Sequence, residues 1–164
     1  WNQGTVSDCD NYGTISYLEF NTGVSGITNN FGHFAAETHG NGSVLNCHNY
    51  GNITGKNGDA GGITSRCAGL IDGCVNEGNV SASTNVGGIT ATCYNSFIVQ
   101  NCSNKGNVYK DDNYTSEYSS FQGGIVGYIH NTTTGTYSNN TNGGTVNGEP
   151  GTEANAIGFD ERYE

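Results

Sequence analysis

The stretch Gly73-Cys-Val-Asn-Glu-Gly-Asn-Val80 decides the fold, because the chain repeats its pattern of Cys, Asn, Gly and an aliphatic residue. Residues Asn46–Ile53 read Asn-Cys-His-Asn-Tyr-Gly-Asn-Ile, and residues Asn101–Val108 read Asn-Cys-Ser-Asn-Lys-Gly-Asn-Val. More distant copies occupy Asp8–Ile15 and Asn139–Val146. Five copies of one pattern in 164 residues indicate a repeat protein.

Two more short runs accompany every copy, one before it and one after it. Equivalent positions in the five copies, Cys9, Cys47, Cys74, Cys102 and Asn140, lie 38, 27, 28 and 38 residues apart. The bare unit is therefore 27 or 28 residues, and two copies carry loop insertions at about 29–42 and 109–122. Solenoid proteins accept such insertions because they fall in loops.

The unit has room for about three short strands and none for a helix, and its Val, Ile, Thr and Tyr residues are separated by Gly and Asn. We therefore predict an all-β fold, a single-stranded parallel β-helix (β-solenoid) of five turns of about three short strands. A right-handed crossover is the general expectation. The whole chain forms one domain, with turns at about 1–40, 41–67, 68–94, 95–133 and 134–164.

Residues at equivalent positions are expected to stack as ladders, with alternate side chains pointing inward. An Asn ladder precedes a Gly ladder by two residues, and both residue types accept left-handed backbone at corners. Stacked Asn amides also bond one another along the axis. We expect Thr28, Thr64 and Thr90 to face outward. The predicted ladders are Val6, Val44, Ile71, Val99 and Tyr137; Cys9, Cys47, Cys74, Cys102 and Asn140; Ile15, Ile53, Val80, Val108 and Val146; Ile27, Ile63, Ile89, Ile125 and Ile157; Phe31, Cys67, Cys93 and Ile129; and Asn11, Asn49, Asn76, Asn104 and Asn142.

The net charge of −10, from 15 acidic and 5 basic residues, argues against a nucleic acid partner, which needs a basic face. The longest apolar runs are far too short to cross a bilayer as a helix, so membrane insertion is not expected.

Several segments resemble the GLUG repeat. They are residues 123–148, which include Gly-Gly-Ile-Val-Gly-Tyr-Ile, Gly-Thr-Tyr-Ser-Asn-Asn and Asn-Gly-Gly-Thr-Val, and residues 61–80 and 87–108. GLUG repeats are known from bacterial and archaeal surface or secreted proteins, including regions of immunoglobulin A peptidases. The resemblance implies a β-solenoid on an exported protein and implies no chemistry. The end copies depart from the pattern at Ser25, Asn140 and Ala156.

The six Cys occupy repeat positions where a small hydrophobic residue fits, so buried free thiols are the first interpretation. A disulfide between neighbouring turns, with Cys67–Cys93 as the preferred pair, is the alternative. Seven Asn-x-Ser/Thr sequons are glycosylation candidates, of which Asn113 and Asn131 rank first because they lie on predicted loops. The other five are Asn41, Asn52, Asn79, Asn101 and Asn139.

No catalytic motif is recognisable. The four His sit at unrelated repeat positions, and no Gly-x-Ser-x-Gly sequence is present. Paired carboxylates among Asp8, Asp10, Asp59, Asp72 and Glu77 would be needed for a glycosidase, and surface acids are the simpler interpretation. No cofactor is predicted, although the oxygen ligands of residues 110–113 and 8–10 keep calcium open.

The leading hypothesis is an extracellular structural protein, a subunit of a filament or surface fibre formed by head-to-tail stacking, with glycosylation left open. No capping segment is recognisable, so we expect either a segment of a longer solenoid or a subunit whose uncapped ends associate with one another. The alternative is an adhesin or glycan-binding module of a cell-surface protein, whose partner would be a glycan or a surface protein. Its ligand would contact the aromatic loop 109–122 through Tyr109, Tyr114, Tyr118 and Phe121. A β-helix enzyme acting on polysaccharide is a third, weaker possibility.

Overall fold

A computed structural model describes residues 2, 4–20, 23–28, 42–113, 119–131 and 133–163. The described chain is all-β, and its strands stack in parallel as a β-solenoid. From the second repeat onward, the chain passes once through each of the other sheets between successive strands of the first sheet. Within the described residues, no helix is long and apolar enough to cross a membrane.

Five sheets, named A to E in chain order, make up the solenoid. Sheet A contains β1 (Thr5–Ser7), β5 (Ser43–Leu45), β10 (Leu70–Asp72), β15 (Ile98–Gln100) and β20 (Thr136–Ser138). Sheet B contains β2 (Asp10–Asn11), β6 (His48–Asn49), β11 (Val75–Asn76), β16 (Ser103–Asn104) and β21 (Thr141–Asn142). Sheet C contains β3 (Ile15–Phe20), β7 (Ile53–Asn57), β12 (Val80–Ala82), β17 (Asn107–Lys110), β22 (Thr145–Val146) and β23 (Glu149–Pro150). Sheet D contains β4 (Val24–Ser25), β8 (Ala60–Gly61), β13 (Val86–Gly87) and β18 (Gln122–Gly123). Sheet E contains β9 (Thr64–Cys67), β14 (Thr90–Cys93), β19 (Val126–Ile129) and β24 (Ile157–Asp160).

The structure divides the unit more finely than the three predicted runs. The first run forms sheet A, the second is split between sheets B and C, and the third between sheets D and E. The strands of sheets B and D are only two residues long. Short strands joined by sharp corners let a unit of this size close around two separate apolar interiors.

The strand registers confirm most of the predicted ladders. Val44 pairs with Val6 and Ile71, and the column continues through Val99 to Tyr137. On sheet C, Val80 pairs with Ile53 and Val108. The Val44 column belongs to the first interior, which also holds the Cys and Ile ladders. The sheet C column forms the second interior with Val24, Ala60, Ala82 and Val86. Of the fifth ladder, Cys67, Cys93 and Ile129 are in register, and Phe31 lies outside the described residues.

The predicted alignment of the last copy is wrong by one residue. Ile157 pairs with Val126 rather than with Ile125. The amide N–H of Ile125 donates to the carbonyl oxygen of Ala156 at 2.8 Å, so buried Ala156 ends the Ile ladder. Ala156 thus takes the place predicted for Ile157, and the core accepts the smaller side chain where the column ends.

The orientation expected for the Thr residues of sheet E is also wrong. Thr64 and Thr90 are fully buried, and the Thr64 hydroxyl donates to the Thr90 hydroxyl oxygen at 2.9 Å. The interior accepts a polar pair because each turn of the solenoid, here called a rung, supplies a hydrogen-bond partner to the next rung.

Most of the left-handed backbone positions form a column that was not predicted from the sequence. Asp8, Asn46, Gly73, Asn101 and Asn139, each directly before the Cys ladder position, have φ between 52° and 65°. Asn, Asp and Gly are the residues that adopt this conformation at least cost. The residues of the Gly ladder are needed for close packing between rungs, not for left-handed backbone. A Cβ on Gly78 would lie 2.0 Å from the carbonyl oxygen of Gly51 in the rung below.

The C-terminal end of the solenoid is capped, contrary to the expectation of an uncapped end. Strand β23 pairs antiparallel with β22 and covers the edge of sheet C. Beyond β24, a short 3-10 helix, Glu161–Tyr163, follows Asp160. Arg162 donates to both carboxylate oxygens of Asp160, at 2.8 and 2.6 Å, and to the carbonyl oxygen of Gly135 at 2.8 Å. The cap therefore binds the edges of two sheets.

Candidate functional site

A ladder of Asn side chains runs through the solenoid beside the first interior. The amide nitrogens of Asn11, Asn49 and Asn76 donate to the next amide oxygen along the axis at 2.7, 2.7 and 2.8 Å. Each amide nitrogen also donates to the Gly carbonyl oxygen two residues later. Asn142 departs from the pattern and donates to the side-chain oxygen of Asn155 at 2.9 Å. The ladder is thus an internal support whose amide–amide bonds end at Asn104, and the buried Oδ1 atom of Asn142 has no hydrogen-bond partner within the described residues.

The aromatic loop predicted as a ligand site is only partly described, because Tyr114 and Tyr118 lie outside the described residues. Tyr109 is on β17 and 41% exposed. The Phe121 ring stacks on the rings of Tyr128 and Phe159, with centroid distances of 5.4 and 4.5 Å. Phe121 therefore packs against sheet E, and Tyr109 is the only one of the two described candidates with a large exposed ring.

A second aromatic group lies at the edge formed by the first copies. The rings of Tyr12 and Tyr50 are parallel and 4.7 Å apart, and the His48 ring stacks on Tyr50 at 3.8 Å. Tyr12 is 72% exposed. These residues were not among the candidates predicted from the sequence, although the repeat places Tyr12 and Tyr50 at equivalent positions.

Of the five acids considered as carboxylate pairs, Asp59, Asp72 and Glu77 each bind partners in a neighbouring copy. Asp72 accepts hydrogen bonds from Gln100 and Asn101, both at 2.8 Å, which lower the pKa of its carboxyl group. The Lys105 ammonium, 2.8 Å from Glu77, lowers the pKa of that carboxyl group. Asp59 accepts from the hydroxyls of Thr84 and Thr92 at 2.9 and 3.2 Å. Asp8 and Asp10 are exposed. The contacts of Asp59, Asp72 and Glu77 are those of acids that bind neighbouring rungs together.

The segments considered for calcium hold local contacts. Asp111 accepts from the backbone and side-chain nitrogens of Asn113, and the Lys110 ammonium lies 3.6 Å from Asp112. In the part of the chain that the structure describes, no group of three His, Cys, Asp or Glu side chains is placed to hold a metal ion.

The sequons differ in exposure and in the partner of the amide nitrogen, which is the atom that carries an N-glycan. Asn52, Asn101, Asn113, Asn131 and Asn139 are exposed, Asn79 is half-buried, and Asn41 lies outside the described residues. The amide nitrogens of Asn101 and Asn113 donate to Asp72 and Asp111, each at 2.8 Å. A glycan on either amide nitrogen would have to share that atom with the existing contact, so Asn131 is the stronger of the two first-ranked candidates.

All six Cys are free thiols in the structure, and all but Cys9 are buried, whereas the first interpretation of the Cys pattern expected every one to be buried. Cys67 and Cys93 are in register on neighbouring strands and fully buried. In the other column, Cys47, Cys74 and Cys102 are buried and Cys9 is exposed. Asn140 replaces the last Cys, where its amide group binds the Val99 carbonyl oxygen and the Cys102 amide N–H, both at 2.9 Å.

Comparison with known proteins does not identify a family for this chain. No family model matches the chain, and neither the curated proteins nor the solved structures give a match. The resemblance to GLUG repeats therefore remains a prediction from the sequence.

Proposed function

We propose that the chain is an extracellular structural protein that forms part of a filament or surface fibre by end-to-end stacking. One observation carries the proposal: sheets A and B keep parallel register through five strands each. The outermost strands, β1 and β20 in sheet A and β2 and β21 in sheet B, each have one neighbouring strand. Such edges present unpaired backbone groups to which another chain can add.

The cap sets a condition for this contact. Strand β23 lies on sheet C where β3 of a second copy would pair. Arg162 donates to the carbonyl oxygen of Gly135, which would otherwise accept a hydrogen bond from the added strand. The hairpin and Arg162 therefore have to move aside when a second copy adds to the C-terminal end. Stacking under this proposal is regulated by the cap.

Charge opposes the contact at low ionic strength. Asp8 and Asp10 are exposed at one end, and Glu149 and Glu153 at the other. Like charges across an interface repel, and salt shortens the range of the repulsion to about 8 Å at physiological ionic strength. End-to-end association should therefore increase as salt is added.

The test uses Thr5, whose side chain is exposed at the edge of sheet A. At the equivalent position one rung up, the Ser43 N–H donates to the carbonyl oxygen of Gly4 at 2.8 Å. The Thr5 N–H therefore points away from β5, towards an added strand. Thr5→Pro removes this donor, whereas the matched control Thr5→Val keeps it.

We expect fibres by negative-stain electron microscopy for the wild type and Thr5→Val, and single particles for Thr5→Pro with an unchanged thermal midpoint. Fibres that form equally in all three proteins would show that strand addition at sheet A is not the contact. Single particles in all three, at high concentration and high salt, would overturn the structural proposal.

A binding module is the second candidate, and the exposed ring of Tyr109 on sheet C favours it. Such a module acts as a single particle and would bind a glycan or a surface protein through this face. Wild-type chains that stay single in the same experiment and bind a glycan array, with loss of binding in Tyr109→Ala, would favour this function.

A further inference from the structure

The column of four thiols has a uniform geometry. The sulfur atoms of Cys9, Cys47, Cys74 and Cys102 each donate to the carbonyl oxygen two residues earlier, at 3.1, 3.3, 3.5 and 3.1 Å. Because every side chain makes the same contact, the sulfur atoms line up along the solenoid axis. The acceptors are the carbonyl oxygens of Ser7, Leu45, Asp72 and Gln100.

Cys9 and Cys47 are direct neighbours in this column. Asp10 is in register with His48, and the His48 N–H donates to the Cys9 carbonyl oxygen at 2.9 Å. Neighbouring strands lie about 4.8 Å apart. A disulfide joins residues whose Cα atoms lie about 4.4–6.8 Å apart, so the strand spacing falls within the range that a disulfide spans.

Access separates Cys9 from the other thiols. Cys9 is exposed, whereas Cys47, Cys67, Cys74, Cys93 and Cys102 are buried. A small-molecule disulfide in solution therefore meets Cys9 first. Burial raises the pKa of the Cys47 thiol to about 11, and contact with the Cys9 thiol contributes to the rise.

We propose that Cys9 and Cys47 form a thiol–disulfide site in which Cys9 reacts with small-molecule disulfides and Cys47 resolves the mixed disulfide. In the first step, the Cys9 thiolate attacks one sulfur of glutathione disulfide. A mixed disulfide forms, and one glutathione leaves as its thiolate. In the second step, the Cys47 thiolate attacks the Cys9 sulfur, and the second glutathione leaves. Cys9 and Cys47 are oxidised, each loses its thiol proton, and glutathione disulfide is reduced to two glutathione molecules.

The two steps have different pH dependences. The first needs the thiolate of an exposed Cys, and the second needs the thiolate of buried Cys47, which is scarce at neutral pH. The mixed disulfide therefore accumulates before the bridge forms, and the bridge forms faster as the pH rises towards 10. The finished bridge joins the first two copies and closes the segment between them, which restricts the unfolded chain.

This inference goes beyond the proposed function and does not depend on it. The reaction is carried out on single chains isolated by size-exclusion chromatography, because a stacked copy would cover Cys9. Failure of the thiol reaction therefore leaves the stacking test unaffected, and the reverse also holds.

The experiment incubates the full chain with glutathione disulfide and follows intact mass and thiol-containing peptides by mass spectrometry. The variants are Cys9→Ser and Cys47→Ala, and Cys67→Ala is the matched control from the buried pair. We expect the wild type and Cys67→Ala to lose two thiols to a Cys9–Cys47 bridge and to gain thermal stability. Cys9→Ser should not react, and Cys47→Ala should stop as the mixed disulfide at Cys9.

Three results would overturn the proposal. The first is a wild-type mixed disulfide that persists at alkaline pH, because Cys47 then does not resolve it. The second is a bridge that maps to Cys67 and Cys93. The third is a covalent dimer through Cys9. Since Cys9→Ser changes an exposed residue, it also tests the site if Cys47→Ala fails to fold.

Discussion

Single side chains decide how neighbouring rungs are held together. Asn76 is fully buried, accepts from Asn49 and donates both to Asn104 and to the carbonyl oxygen of Gly78. One amide group thus satisfies polar groups from three rungs. A buried polar group left without a partner costs about 1–3 kcal/mol, so the ladder stabilises the fold mainly by leaving few such groups.

We expect Asn76→Ala to lower the free energy of unfolding by about 3 kcal/mol, because Asn104 and Gly78 lose their donor in a dry interior. Asn11 at the open end of the ladder is half-buried, and water replaces its contacts more easily. Asn11→Ala should therefore cost about 1 kcal/mol. Urea denaturation of both variants measures the difference, and equal losses would contradict an amide ladder that is strongest in the interior.

Among the structural elements, the hairpin of β22 and β23 differs most from the repeat, because it is antiparallel. Its turn contains Asn147 and Gly148, with φ of 49° and 86°. Two positive φ values in a two-residue turn match the type I′ geometry that favours Asn-Gly. The Gly151 N–H closes the hairpin onto the Gly144 carbonyl oxygen at 2.7 Å.

We expect Gly148→Val to loosen this hairpin, because a β-branched residue is strained at positive φ. Space is not the cause, since no atom lies within 4 Å of a Cβ built at Gly148. A strain of about 1–2 kcal/mol corresponds to roughly 5–30-fold faster hydrogen exchange of the Gly151 amide, if local opening controls exchange. The matched control Gly148→Asn keeps a residue that accepts this conformation.

If both variants show wild-type protection at Gly151, the turn does not control the hairpin. The same pair of variants bears on the proposed function. A loosened hairpin exposes the edge of β22, so Gly148→Val should form fibres at a lower protein concentration than Gly148→Asn.

At the scale of the whole molecule, stability should be greatest between about pH 5 and pH 8. Hydrogen bonds from Arg162 lower the pKa of Asp160, and those from Tyr128 and Asn131 lower the pKa of Glu161. For a carboxyl group with a lowered pKa, the stabilisation is present above its unfolded pKa and is lost as the pH falls through its folded pKa. Acid should therefore weaken the C-terminal cap.

Alkaline conditions act on other groups. Burial raises the pKa of Cys47 to about 11 and that of Tyr137 to about 12. The stabilisation of such groups is complete below their unfolded pKa and is lost as the pH rises through the folded value, so it declines above about pH 8.5 for Cys. Urea midpoints measured from pH 3 to 10.5 test both limbs. Asp160→Asn should reduce the loss of stability in acid, and Cys47→Ala should reduce the loss in alkali. A wild-type urea midpoint that does not change with pH would contradict the role given to these groups.

The amino-acid sequence by itself determined the all-β solenoid, the register of its strands in all but the last copy and the identity of most of its interior columns. Val44, Ile71 and Val99 recur at equivalent positions, and parallel strands place equivalent positions beside one another. The same reasoning predicted the ladder of Asn49, Asn76 and Asn104. A repeat carries this information because each residue meets its own counterpart in the next copy.

The left-handed column was within reach of the same reasoning, since Asp, Asn or Gly precedes the Cys ladder position in every copy. The Asn-Gly pair at 147–148 was likewise a recognisable hairpin signal that the repeat alignment obscured. Both signals are local, and both were outweighed by the stronger periodic pattern.

Only the tertiary structure decided the remaining features, because they depend on contacts between non-equivalent positions. Three contacts have no counterpart among the described residues of earlier copies: Arg162 with Gly135, Ala156 opposite Ile125, and Phe121 packed on Phe159. The exposure of Cys9 beside buried Cys47 is of the same kind, since the two residues are equivalent in the repeat and differ only in what covers them. A periodic sequence specifies what lies above and below each residue, whereas folding in three dimensions specifies what lies across from it and where the stack is open to solvent.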